Sequence, residues 1–317
     1  MQKLIPYLIA TVAPLCWAGD IVLARGLAGK IPPFSLVFWR WALAFLFMLP
    51  FAWKAISKDW PQIKQSWGFL SVLSVLGMSG FITLLYVGVH STTAINSALI
   101  QTTLPAIIVL ACLFLYGEKV SKTQIAGIAL CFFGACYVVF QGDWHTAKKL
   151  VVMRGDLLIL IAAVMYGLYS ALLPKSPNIH PFSFLACLSF LGAVTMLPFY
   201  VWEILTVGVM PITLKTMLGV AYVAAFPSIV AYMCWNKSVS VIGPNQTGIF
   251  INLVPVFAAV LSVSFLKEPL YIYHSVGMMF IFSGMILFNR VAPPPVPPLP
   301  ADTNAEPAFP NRPGARS

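Results

Sequence analysis

The chain matches itself at an offset of 150 residues. Pro105 recurs as Pro255, Glu118 as Glu268, Gly127 as Gly277 and Gly134 as Gly284. Each set has the same setting: an apolar stretch with a mid-span proline, a Gly-Glu or Lys-Glu turn, then a glycine-spaced apolar stretch. Four matches in one register identify a duplicated unit. Duplication within an apolar chain is a pattern of secondary-transporter folds.

The unit belongs in lipid. Hydrophobic residues make up 60% of the chain and charged ones 9%, with a mean hydropathy of +0.88. A soluble domain is about half apolar and about a quarter charged. Ten apolar stretches of membrane-spanning length cover residues 4–24, 34–53, 68–88, 94–116, 122–140, 154–173, 181–202, 216–237, 244–266 and 271–290. The expected class is an all-α polytopic membrane protein with ten transmembrane helices. The short alternating segments of a β-barrel are not present in the sequence. The first stretch has no small-residue cleavage site after it and reads as a retained helix. The six cysteines lie inside spans without metal-ligand spacing and read as small apolar packers. The net charge of +10 is spread thinly over loops, which argues against a nucleic-acid partner.

Each repeat holds five spans, an odd number, so the second copy is expected upside down relative to the first. Residues 1–143 form the first five-helix repeat and residues 154–290 the inverted second. Ten spans place both termini on one side. Nine basic residues fall on that side, among them Lys54, Lys58, Lys119 and Lys175, against seven on the other, among them Lys148, Lys149 and Lys215. This bias sets both termini in the cytoplasm of a multi-pass protein of the bacterial inner membrane. Residues 291–317 differ in kind: nine of the 25 residues from Pro293 to Ser317 are proline, as expected of a disordered tail.

Several runs carry a resemblance. Trp17-Ala18-Gly19-Asp20-Ile21-Val22 closes the first span, and Phe38-Trp39-Arg40-Trp41 lies in the second. Pro105 is followed by Leu115-Tyr116-Gly117-Glu118, and Pro255 through Lys267-Glu268-Pro269 echoes it. Over about residues 4–290 the chain resembles the drug/metabolite transporter superfamily, specifically its EamA-type ten-helix exporters. The resemblance implies movement of amino acids, other small metabolites, vitamins or toxic amphiphiles. The chain departs from the family at Asp20, where members often carry asparagine or serine.

Ionisable groups within spans are costly and default to functional candidates. Asp20 lies about 6 Å and Arg40 about 9 Å from the same membrane face at 1.5 Å per residue. They sit on consecutive antiparallel spans, so they meet either as a static salt bridge or as a transport site. In the second case Asp20 takes a proton or a substrate ammonium and Arg40 a carboxylate. Pro105 and Pro255 release the carbonyls of Gln101 and Ile251 and kink their helices. Gln101, Thr102 and Asn252 then line a central cavity, with Ala98 and Gly248 leaving room beside it. Trp17, Tyr86, Tyr166, Tyr169 and Trp235, with Asn236, supply amphipathic rings for an apolar or cationic cargo. Trp39, Trp41, Trp53 and Trp60 read as interfacial anchors. Glu118 and Glu268 end their helices as structural caps for the next helix, or as gates.

These readings describe a secondary active, proton-coupled exporter of small amphipathic metabolites such as amino acids. It works as a monomer in the lipid bilayer by alternating access, without cofactor or metal. No nucleotide-binding run points to ATP. An importer of a vitamin such as riboflavin or of a nucleotide-like solute has the same architecture. A non-transporting membrane partner or lipid-handling protein is the third class. An intramembrane enzyme is disfavoured, because the four histidines lie at loops or span edges and no catalytic motif surrounds them.

Overall fold

A computed structural model describes residues 5–27, 31–92, 94–118, 120–149, 151, 153–266 and 271–290. Glu268 and the tail at residues 291–317, both singled out above, lie outside the described residues. The described chain is an all-α bundle of ten helices. α1 is Ile5–Leu27, α2 Pro33–Gln65 and α3 Trp67–His90. α4 comes in two pieces, Ala94–Thr102 and Leu104–Tyr116, and α5 is Lys122–Val139. α6 is Arg154–Leu172, α7 Pro181–Thr206 and α8 Leu214–Ile242. α9 is Pro244–Gly248 and Leu253–Leu266 joined by a 3-10 turn at Ile249–Asn252, and α10 is Ile272–Asn289. Nine of these segments are long and apolar enough to cross a bilayer, and α1 adds a shorter apolar stretch, Ile5–Ile21. The protein is therefore an integral multi-pass membrane protein.

One helix is longer than its apolar stretch foretells. α2 has 33 residues, about 50 Å at 1.5 Å per residue, against a hydrocarbon core of about 30 Å. Its last turns carry Lys54, Lys58, Asp59 and Lys64, so the charged stretch between the second and third apolar stretches is helical.

Distortions recur where the repeat offset puts them. α4 breaks after Thr102 and α9 after Asn252, each just before its proline. A proline in the first turn of a helix lacks only an N–H that would have no partner there, so the break is well tolerated. α3 and α8 carry a second matched distortion, a π-helical segment at Val75–Ser79 and at Ala224–Val230. Such bulges are rare and gather at functional sites.

Two antiparallel pairs hold the bundle together. α5 packs on α10 through a glycine seam. A Cβ on Gly127 would lie 2.8 Å from the Gly284 carbonyl oxygen, and one on Gly134 would lie 2.8 Å from that of Gly277. Midway along, Cys131 Sγ donates to the carbonyl of Ile281 at 3.3 Å, the residue 150 positions on. α2 pairs with α7 by ring contacts, Phe38 on Tyr200 at 4.3 Å and Phe45 on Phe190 at 5.3 Å.

The α2–α7 pair is fastened by carboxylates at both ends. Glu203, buried at 2% exposure, accepts from Phe34 N at 3.0 Å, Ser35 N at 2.6 Å and Ser35 Oγ at 2.7 Å. It thus caps α2 from another helix, satisfying N–H groups at the positive end of the helix dipole. At the far end Asp59 Oδ2 accepts from His180 N at 2.9 Å, just before α7. Glu203→Ala is expected to cost about 2–4 kcal/mol, because helix N–H groups would be left buried without an acceptor. Thermal melts in detergent should show the drop, with Glu203→Gln, which keeps one acceptor oxygen, falling between.

Candidate functional site

Asp20 and Arg40 meet. Arg40 Nη1 donates to Asp20 Oδ2 at 2.9 Å and to the Tyr86 hydroxyl at 3.2 Å. Its Nε donates to Ser228 Oγ at 2.7 Å, and that hydroxyl in turn donates to the carbonyl of Val223 at 2.8 Å. Arg40 is fully buried, and its Nη2 has no hydrogen-bond partner among the described residues. Asp20 retains 16% side-chain exposure. A buried guanidinium needs its counter-charge, since breaking such a pair costs about 3–5 kcal/mol. The charged centre thus joins α1, α2, α3 and α8.

Beside it lies a closed cluster of rings. Trp17, one turn from Asp20 on α1, packs against Trp235 at 5.4 Å, Tyr166 at 5.7 Å and Tyr232 at 6.2 Å. Tyr166 also meets Tyr169 at 5.6 Å, Trp235 at 5.6 Å and Phe81 at 4.7 Å. The polar tips face different partners. Trp17 Nε1 donates to the Pro227 carbonyl at 3.2 Å, Trp235 Nε1 to Ser170 Oγ at 3.2 Å, and the Tyr169 hydroxyl to Asn236 Oδ1 at 2.8 Å. The Tyr232 hydroxyl donates to the carbonyl of Gly77 inside the α3 π-segment. The Tyr166 hydroxyl is buried without a partner among the described residues.

Of the residues picked from sequence, Asp20, Arg40 and Tyr86 form the charged centre, and Trp17, Tyr166, Tyr169, Trp235 and Asn236 form the aromatic one. Gln101 Nε2 donates back to Ser97 at 3.4 Å, and Asn252 Nδ2 to the carbonyl of Ile249 at 3.2 Å. Both amides serve their own broken helices. Asn252 Oδ1 is buried without a partner among the described residues, while Thr102 is buried at the end of the first piece of α4. Pro105 and Pro255 sit directly after the breaks.

Two expectations need correction. Trp41 is fully buried and packs edge-on to Tyr232 at 5.4 Å, not at the lipid interface, whereas Trp53 and Trp60 are exposed as anchors should be. Trp39 is tied to Tyr200 by an Nε1–hydroxyl bond of 3.1 Å. Glu118 does not cap the helix that follows it. Ser121 caps α5 in a reciprocal box with Gln124, at 3.1 Å and 3.0 Å, which serves the N–H groups of Gln124 and Ser121. Glu118 Oε2 instead accepts from Asn245 Nδ2 at 2.6 Å, fastening the end of α4 to the start of α9.

Burial pushes the Glu118 carboxyl above its ordinary value of 4.5. A group whose folded pKa is raised contributes stability that is present below the unfolded pKa and lost as pH rises through the folded one. Glu118→Gln is therefore expected to flatten the melting-temperature profile from pH 4.5 upward, and an unchanged profile would refute the assignment.

Several positions in and around these clusters were not picked from sequence. Ser228 and Tyr232 lie where both clusters meet; Ser228 and Pro227 belong to the π-segment of α8, and Tyr232 follows it and bonds to Gly77 in the π-segment of α3. Asp156 accepts from Met153 N and Asn96 Nδ2, each at 2.8 Å, and from the Thr92 hydroxyl, tying the α3–α4 connection to the start of α6. Pro227, a proline within an apolar span, and Asp156, a carboxylate near the start of the stretch 154–173, carried a sequence signal; Tyr232 and Ser228 did not. Among the described residues no three His, Cys, Asp or Glu side chains gather as a metal-ligand set.

Comparisons with known proteins match this architecture. The profile of the EamA-like transporter family matches residues 4–140 and 153–290. The chain is 28% identical over 273 residues to the "Uncharacterized transporter YyaM" of Bacillus subtilis, covering 85% of this chain and 88% of that one. It is 27% identical over 229 residues to a "Probable terminal-alkyne amino-acid exporter" of Streptantibioticus cattleyicolor, covering 70% and 72%. A solved crystal structure superposes with a TM-score of 0.74 at 18% identity, covering 90% of this chain and 97% of that one.

Proposed function

The chain belongs to the EamA-like transporter family, and from that premise we propose that it is a proton-driven exporter of small amphipathic metabolites, amino acids first among them. The observation that carries this reading is the juxtaposition of the Asp20–Arg40 pair with the cage of Trp17, Tyr166, Tyr169, Tyr232 and Trp235. Asp20 accepts a proton or the cargo's ammonium group. Either event frees Arg40 from its counter-charge, and its unpartnered Nη2 offers N–H groups to a carboxylate. The rings take the apolar remainder of the cargo, with cation–π attraction for a cationic one. The relative that bears the name "Probable terminal-alkyne amino-acid exporter" favours the same cargo class.

Alternating access comes from two inverted repeats, residues 1–143 and 154–290. The paired breaks before Pro105 and Pro255, the paired π-segments and the antiparallel glycine seam support this layout. Two copies of one unit, upside down to each other, exchange conformations between inward-open and outward-open states of similar energy. One chain holds both copies and acts as a monomer, with both termini on the cytoplasmic face of the inner membrane. Comparative profiling of cells and medium tests the function, with the gene deleted and overexpressed. A solute that rises in the medium on overexpression names the cargo and the direction. A solute that accumulates inside overturns export in favour of an importer.

A further inference from the structure

We propose that Ser228 is the positioning residue that converts the charge state of the Asp20–Arg40 pair into the shape of the π-helical segment of α8. This rests on the reading that Asp20 changes charge during transport.

A π-helical turn displaces carbonyls from the regular ladder, and they need other donors. In α8 the partners are identifiable. The Ser228 hydroxyl donates to the Val223 carbonyl at 2.8 Å, across the entry to Ala224–Val230, while the Pro227 carbonyl accepts from Trp17 Nε1 at 3.2 Å. A hydroxyl has one proton to donate and two lone pairs. With its proton committed to Val223, Ser228 Oγ accepts from Arg40 Nε at 2.7 Å, a charge-assisted bond. The segment is thereby wired to both clusters of the site, through Ser228 to the ion pair and through Pro227 to the cage.

The switching step follows from burial. Arg40 has no solvent exposure, so its charge is held by Asp20 and by the hydroxyls of Tyr86 and Ser228. Tyr232 and Trp41 pack around it, and Tyr222 places its hydroxyl over Gly19, next to Asp20. No second carboxylate bonds to Arg40 among the described residues. When Asp20 is neutralised, the guanidinium sits in an apolar interior without a counter-charge and has to move. Its Nε leaves Ser228, the hydroxyl is free to turn, and the bond that holds the π-segment to Val223 is lost. The half of α8 beyond the segment, which carries Tyr232, Trp235 and Asn236, then shifts relative to the half before it.

Hydrogen–deuterium exchange of the full chain in lipid nanodiscs tests this as a double-mutant cycle. Asp20→Asn and Ser228→Ala should each raise exchange across residues 224–235 by about fivefold or more, the scale of a typical coupling energy. The double variant should exchange no faster than the faster single one, because both remove the same link. Ser228→Thr, which keeps the hydroxyl, should restore the response to Asp20→Asn. Exchange along the α5–α10 seam should stay unchanged. Multiplying effects in the double variant, or no response of the segment to Asp20→Asn, would overturn the proposal. If Ser228→Ala does not fold, the near-isosteric Ser228→Cys replaces it in the same cycle. The outcome is separable from the transport reading: retained gradient-driven transport in Asp20→Asn sinks that reading, whereas additive exchange sinks only the role of Ser228.

Discussion

Asp20→Asn is expected to abolish gradient-driven transport in a protein that still inserts and folds. Asparagine has the same shape and keeps one oxygen to accept from Arg40 Nη1, but it takes up no proton at physiological pH. One charge moved across 100 mV is worth about 2.3 kcal/mol, about fiftyfold in a concentration ratio, and the variant forfeits that factor. Flux down the cargo's own gradient should persist. The variant should also melt at a lower temperature, since a fully buried Arg40 has lost its counter-ion. Transport in proteoliposomes and melting in detergent separate the two effects. Retained gradient-driven accumulation would reduce the pair to a static bridge between α1 and α2.

Gly134→Leu should eliminate the folded protein altogether. At this position a Cβ would lie 2.8 Å from the carbonyl oxygen of Gly277 and 2.9 Å from the amide nitrogen of Ile281. Both are backbone atoms, which do not yield as the tip of a side chain would. Overpacking commonly costs about 1–3 kcal/mol, occasionally more, and a leucine wedged between two backbones belongs at the upper end. In lipid, close helix approach is itself the main source of association, so separating α5 from α10 forfeits the contact along their length. Fluorescence-detected size-exclusion chromatography should show aggregate in place of a monodisperse peak, with Gly134→Ala intermediate. Gly68→Leu is the control: nothing lies within 4 Å of its Cβ, and it should behave as wild type.

How much was legible follows from which features are local. Proline fixes its own φ and removes its own N–H, so Pro105 and Pro255 announce the breaks in α4 and α9 without reference to the rest of the chain. Asp20 and Arg40 stand out against apolar surroundings, and a short connection between antiparallel helices brings them together. The rings of Trp17 and Trp235 were visible as candidates, but their enclosure by Tyr232 depends on α8 crossing α1, which no local pattern encodes. Trp41 is the same chemical object as Trp53, and only the crossing with Tyr232 decides that one is buried and the other meets lipid. Glu203 was not among the candidates, because its partners, the N–H groups of Phe34 and Ser35, are about 170 positions away and come into view only once α2 and α7 pair antiparallel. The π-segment of α3 contains no proline and has no signature in composition. It has a counterpart about 150 residues on, at Ala224–Val230 in α8, which only the structure reveals.

The central claim, that the cage opens in turn to each side of the membrane, is tested most directly by two-sided labelling. A single cysteine placed at Asn236, in a chain whose six native cysteines are replaced, is exposed to a membrane-impermeant maleimide in sealed vesicles of known orientation. Alternating access predicts modification from either face, with the balance between faces shifting as pH changes. Modification from one face only, whatever the pH, would contradict it.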